Sequence, residues 1–404
     1  MQASNRARAL CPLTDAAPPG ARRPFLGELA GLRFLAALWV VGFHALPRDD
    51  RSPAPWAAFW GAGHTGVTLF FVLSGFILVY TYGPVDGRPI DARRFFIARA
   101  ARLFPVYLAS LLIAVPEFLR TVMPPGGGRA LPWTDVALAA TTTPLMLQAW
   151  FPRSGCYWNC PAWSLSAEAF FYLLFPFFAA LLYARRASTV LLATVGAWVL
   201  ALGFALLRAS PTAWPGSAGW LGSLAHSLTT PVFRLPEFLL GLAIGRWYLD
   251  RRMRGERLQP VAGLISALIA GCTIVAVAAR SVPVPVDPVL AVLLLPLFAL
   301  LILGLAERGN RGLLARPAAM MLGESSYALY LIHGPMHVYV LGAARRVVPG
   351  SLTANPWMVF WAYLLLVIGV SFLLYRHLER PARHALRMRF APRPMVGGKG
   401  KRLN

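Results

Sequence analysis

Apolar residues run along this chain in stretches of about twenty, the length an α-helix needs to cross a bilayer core of ~30 Å. Ten such stretches lie near residues 29–46, 64–82, 103–122, 163–184, 188–208, 231–249, 260–279, 286–305, 322–343 and 356–377. An eleventh stretch, 133–150, is interrupted by Asp135, Thr141, Thr142, Thr143, Pro144 and Gln148 and is the weakest. The pattern predicts an all-α polytopic membrane protein, a bundle of about ten transmembrane helices with a re-entrant or interfacial helix in an outer loop. The predicted organisation is a basic cytoplasmic tail over 1–28, a transmembrane domain over 29–378 and a second basic tail over 379–404.

Composition sharpens that reading. Of 404 residues, 57% are hydrophobic and 14% charged, roughly half the ~25% charged residues of soluble domains. The net charge of +23 is too high to ignore, but the basic residues lie between apolar runs and not on a polar domain, so no nucleic-acid partner is expected. Nearly all of them are Arg, with Lys only at 399 and 401, a bias that suggests a GC-rich bacterial genome. With ten spans and a cytoplasmic N-terminus, 27 basic residues fall in cytoplasmic segments and 7 in outer ones, as the positive-inside rule requires. An eleventh span would invert the second half and put the nine basic residues of 376–404 outside. The expected location is the bacterial cytoplasmic (inner) membrane, with both termini cytoplasmic and the first span an uncleaved anchor.

Against an apolar background, ionisable residues inside spans are costly and mark candidate chemistry. Arg33 and His44 are eleven residues apart on the first span. That is close to three helical turns, so they share a face about 16 Å long. Each alone also reads as an ordinary flank residue, snorkelling or bonded to a carbonyl. Arg99 and Arg102 are i, i+3 neighbours able to clamp a phosphate, or simple inside anchors. Glu168 opens the fourth predicted span on one face with Ser164 and Tyr172; at a depth similar to His44, it could tune that imidazole, or face water at the interface. Arg234 and Glu237 read as an internal ion pair. Ser326, Tyr330, His333 and His337 form one polar stripe, lining a cavity or bonding neighbouring helices. Ser74 reads as a packing serine, having no base beside it in sequence. Cys156 and Cys160 frame a short outer segment where a disulfide or two free thiols are both open; no metal site is expected.

These segments together resemble the acyltransferase 3 family of integral membrane acyltransferases. The resemblance rests on Arg33-x10-His44, Phe70–Phe76, Arg99-x-x-Arg102 with Pro105 and Tyr107, Trp163 to Glu168, and Arg234 to Gly241. Ser325 to His333 and Glu379-Arg380-Pro381 complete it, over about Gly27 to Arg383. The resemblance implies transfer of an acyl group, usually acetyl from acetyl-CoA, to a hydroxyl of a carbohydrate, glycoconjugate or glycosylated small molecule, with no bound cofactor. The implied roles are His44 as general base with Glu168 assisting, and Arg33, Arg99, Arg102 and Tyr107 at the acyl-CoA. Trp163, Arg234, Glu237, Ser326, Tyr330 and His333 would contact the acceptor or the oxyanion. The competing expectation is a proton-coupled transporter or flippase using His44 and Glu168 as a relay.

Overall fold

The computed structural model describes residues 23–47, 54–83, 90–124, 131–209, 229–257, 261–278, 286–349 and 355–390. Residues 1–22 with Cys11, and 391–404, lie outside the described residues. Every regular element among the described residues is helical: α1 (Gly27–Ala45), α2 (Ala54–Gly61), α3 (Gly66–Tyr82), α4 (Ala92–Val122), α5 (Trp133–Thr142), α6 (Trp163–Ala184), α7 (Ala187–Ala209), α8 (Pro231–Met253), α9 (Val261–Ala278), α10 (Val286–Leu293), α11 (Leu295–Arg308), α12 (Pro317–Val347), α13 (Pro356–Leu374) and α14 (Arg380–Phe390).

Local sequence explains where many of these helices begin and end. Asp91 caps α4, its side chain accepting from the Arg94 amide at 3.0 Å, which satisfies one orphan donor of the first turn. Pro lies in the first turn of α8, α12 and α13, where its missing N–H costs nothing. The predicted span 286–305 is divided at Leu294 into α10 and α11, with Pro296 in the first turn of α11. Gly309, at φ +63°, ends α11. Pro105 and Pro116 remain inside α4, a placement that membrane helices tolerate because neighbours satisfy the freed carbonyls.

Among the described residues, five helical stretches are long and apolar enough to cross a membrane: Gly27–Ala45, Phe59–Tyr82, Ala92–Val122, Cys160–Ala184 and Pro356–Phe390. The weak stretch 133–150 forms only the ten-residue α5 followed by turns. At ~1.5 Å per residue it is about 15 Å long, half the thickness of a bilayer core.

Small residues set the closest helix contacts. α3 packs most extensively on α8, where Gly75 and Gly241 face each other: a Cβ on Gly241 would lie 3.0 Å from the Gly75 Cα. Backbones approach this closely only where both positions lack side chains. α12 packs against α1 and α13, and α14 packs against α4.

Residues of both predicted tail segments contact the bundle. Arg23 donates to the carbonyls of Val79 (3.2 Å) and Tyr80 and reaches that of Gly83 at 3.5 Å, satisfying the open C-terminal carbonyls of α3. At the other end, α13 passes through a wider π-turn, Tyr375–Glu379, into α14. Glu379 and Arg383 are both buried, so this part of the tail belongs to the packed bundle.

Candidate active site

The long segment between α4 and α6 is folded into the bundle. Tyr107 donates its hydroxyl proton to the Thr143 carbonyl. Trp158 donates to the Leu111 carbonyl at 3.0 Å. The Asn159 amide, on a residue in the left-handed region at φ 52°, donates to Ser110 Oγ and to the Leu331 carbonyl, both at 3.1 Å. Cys156 and Cys160, which bracket this turn, are joined in a disulfide. The Pro161 carbonyl accepts from the Tyr330 hydroxyl at 2.9 Å, and Ser164 Oγ donates to that same hydroxyl at 2.9 Å.

These bonds fix the depth at which α6 starts. Ser164 is level with Tyr330 of α12, and Glu168, one turn along α6, lines a cavity together with Ser326. His333 lies seven residues beyond Ser326, roughly 10 Å along the axis. The sequence placed Glu168 at the depth of His44. In the structure its described partners are instead Ser74, whose hydroxyl donates to Oε1 at 3.2 Å, and Tyr172, which donates to the same oxygen.

His44 meets His333 instead. Nε2 of His333 lies 3.3 Å from Nδ1 of His44, with ring centroids 5.0 Å apart. His333 is wholly buried, and its Nδ1 lies 2.6 Å from the Tyr330 carbonyl. Nδ1 of His44 is also 2.9 Å from the Val40 carbonyl. One tautomer pair satisfies all three contacts. His333 donates from Nδ1 to the Tyr330 carbonyl, and its Nε2 then accepts from His44 Nδ1–H, which is shared with Val40. In that tautomer Nε2 is the unprotonated nitrogen of the His44 ring, whose side chain is exposed.

Below the histidines lies a cavity of about 80 Å³. A single water needs ~10–15 Å³ by the same measure, so this space has room for several. Its charged lining is Arg33, Arg99, Arg102 and Glu168, with Ser74, Tyr172, Ser326 and Tyr330 also on its wall. Arg99 donates to the Tyr82 hydroxyl at 2.9 Å and packs over the rings of Tyr82 and Tyr172 at 5.2 and 5.8 Å. Arg33 and Arg102 make no hydrogen bond or close ion pair among the described residues. Ser326 Oγ donates within its own helix, to the Gly323 carbonyl at 2.7 Å.

Two of the predicted groups stand apart. Tyr107 is wholly buried and bonded to the segment between α4 and α6, away from the cavity lining. Arg234 pairs with Glu237 at 3.1 Å, and Thr68 joins both, donating to Glu237 at 3.2 Å and lying 3.0 Å from the guanidinium. Phe71 and Trp163 flank that guanidinium at 5.5 and 5.8 Å, the arrangement of a fixed cation–π contact. Sequence reasoning set Ser74 aside; its carboxylate partner is 94 residues away in the chain, beyond any local pattern. Tyr327, whose hydroxyl donates to the Leu103 carbonyl at 2.8 Å, and Tyr82 also escaped notice. Among the described residues, no three His, Cys, Asp or Glu side chains stand close enough to hold a metal ion.

A model of the "Acyltransferase domain" family, acyltransferase 3, matches residues 26–376. Acyltransferase MdmB of Streptomyces mycarofaciens is 28% identical over 89% of this chain and 92% of its own. Exopolysaccharide production protein ExoZ of Rhizobium meliloti (strain 1021) is 29% identical over 79% of this chain and 89% of its own. The "Putative peptidoglycan O-acetyltransferase YrhL" of Bacillus subtilis (strain 168) is 26% identical over 89% of this chain and 55% of its own. No solved structure matches. With the family model covering the bundle, the cavity and the histidine pair alike, the chain belongs to the acyltransferase 3 family and is a helical membrane acyltransferase that transfers groups other than amino-acyl groups.

Proposed function

We propose that this enzyme moves an acyl group, acetyl in the simplest case, from cytoplasmic acyl-CoA to a hydroxyl of a carbohydrate, glycoconjugate or glycosylated small molecule. The observation that carries this reading is the pair of guanidinium groups, Arg33 and Arg102, lining a cavity without a hydrogen bond or close ion pair among the described residues. An Arg held this way is poised to take an anion through forked, charge-assisted hydrogen bonds. CoA supplies phosphates at one end and a thin acyl-bearing arm at the other. Arg33 and His44 are eleven residues apart on α1, about 16 Å, a distance an extended pantetheine arm spans.

At the upper end, His44 Nε2 takes the proton of the acceptor hydroxyl as its oxygen attacks the thioester carbonyl. The tetrahedral oxyanion collapses, the C–S bond breaks, and the CoA thiolate leaves with the proton returned from His44. His333 holds His44 in the basic tautomer and stabilises its charged form through the Tyr330 carbonyl. Glu168 belongs to the donor cavity in this scheme, offsetting part of the charge of Arg33, Arg99 and Arg102 while holding Ser74 and Tyr172.

The supporting topology is the ten-span arrangement, with α5 as a re-entrant or interfacial helix, both termini cytoplasmic, and the bacterial inner membrane as the site. A sugar-type acceptor is supported by two relatives, one named for exopolysaccharide production and one for peptidoglycan O-acetylation. Membranes carrying the protein, given radiolabelled acetyl-CoA, should transfer label to a glycan fraction. Arg33→Ala with Arg102→Ala should abolish this transfer at low donor concentration. Full transfer by that double variant, or transfer independent of CoA, would overturn the reading.

A further inference from the structure

Behind the cavity, three ionisable residues are buried with no role in the scheme above. Glu379 and Arg383 are 1% and 2% exposed, and the Glu324 side chain 8%. Arg383 faces both carboxylates, Nη2 lying 3.8 Å from Glu324 Oε2 and Nη1 lying 3.9 Å from Glu379 Oε1. One guanidinium thus serves two carboxylates, at distances too long for direct hydrogen bonds. Glu324 Oε1 and Glu379 Oε2 are buried without a hydrogen-bond partner.

A buried carboxylate left without compensation is strongly destabilising, which favours further positive charge close by. The π-turn Tyr375–Glu379 and α14 both pack against α4, the helix that carries Arg102, and α12, which carries Glu324, packs against α1, the helix of Arg33; both guanidinium groups interact electrostatically with both carboxylates. Arg33 and Arg102 thus line the cavity, while Glu324 and Glu379 share Arg383 on the adjoining helices. The backbone is shaped for this, since the π-turn Tyr375–Glu379 turns Glu379 into the bundle. Such single π-turns are frequent at functional positions.

We propose that Glu379 and Glu324, clamped by Arg383, are positioning residues that hold the Arg102 and Arg33 guanidinium groups at the cavity wall for the phosphates of the acyl donor. The proposal rests on the acyl-CoA reading of the cavity. It makes the segment after residue 376 a working part of the donor site, although the family model ends there.

The test compares two donors on the full chain in membranes: acetyl-CoA, and acetylpantetheine, which lacks the nucleotide phosphates. Glu379→Gln keeps the shape of the side chain and removes its charge. It should raise KM for acetyl-CoA about tenfold, equivalent to ~1.4 kcal/mol, with kcat little changed and KM for acetylpantetheine unmoved. Glu324→Gln should do the same. A merely structural role would lower activity with both donors alike, and that result overturns the proposal, as does failure of both variants to fold. If the wild-type enzyme discriminates between the donors and both variants keep that discrimination, only the positioning role falls. Equal KM for both donors in the wild type counts against the donor-dock reading itself.

Discussion

Nε2 of His333 stands 3.3 Å from Nδ1 of His44, although the two residues are 289 positions apart in the chain. The ring of His333 is buried and held by the Tyr330 carbonyl, whereas the His44 side chain is exposed. The pair resembles a base and its orienting partner in the general logic of acid–base catalysis.

His44→Ala should therefore lower acyl transfer by about 10²–10⁴-fold, the usual worth of a general base. His333→Ala should cost less than His44→Ala but far more than a surface change. The double variant should lose little beyond His44→Ala alone, because groups that act as a unit are not additive. Initial rates of label transfer in membranes measure all three, and additive losses would separate the two histidines functionally.

Glu168→Gln should leave the His44 chemistry in place and change donor handling. Its carboxylate accepts from Ser74 and Tyr172 and lines the cavity with three Arg side chains. A KM effect on the acyl donor larger than the kcat effect is expected. A pH–rate profile displaced in the way a direct His44 partner would displace it is the opposing outcome.

Gly241→Leu should prevent α3 and α8 from meeting. A Cβ at Gly241 already lies 3.0 Å from the Gly75 Cα, and a backbone atom cannot swing aside as a side-chain tip can. Loss of the monodisperse peak in detergent size-exclusion chromatography is the expected result. Gly271→Leu, where a Cβ meets nothing within 4 Å, should behave as the wild type.

Asn159→Ala should loosen the outer segment without touching the donor cavity. It removes the bonds to Ser110 and Leu331, each worth ~1 kcal/mol net, with the further cost of any group left buried and unpaired. A lower thermal midpoint in detergent, with donor KM preserved, is expected. Replacing Cys156 with Ser should act in the same direction, since the disulfide brackets that turn.

The proposed topology is checked by labelling single cysteines in intact cells. A reporter at Met388 should be protected from an impermeant reagent, and one at Trp133, 77% exposed on α5, should react. The reverse pattern would overturn the ten-span orientation.

What the sequence determined by itself is the class of the molecule and many of its parts. Twenty-residue apolar runs can satisfy their backbone groups in lipid only as helices, so α1, α3, α6, α7, α8 and α13 are legible almost to the residue. The cost of a charge in such a run singled out Arg33, His44, Glu168 and Arg234 without any knowledge of contacts. The same pattern was blind to α2, to the division at Leu294 and to the helix continuing past 378, because apolar periodicity does not report turns or amphipathic ends. Which charge meets which was decided by tertiary structure alone. The depth of α6 depends on Asn159 and Pro161 gripping α12 from a folded outer segment, and helical periodicity fixes angle and rise within a helix but not its height against a neighbour. That height gave Glu168 to Ser74 and Tyr172 at the cavity wall, and gave His44 to His333.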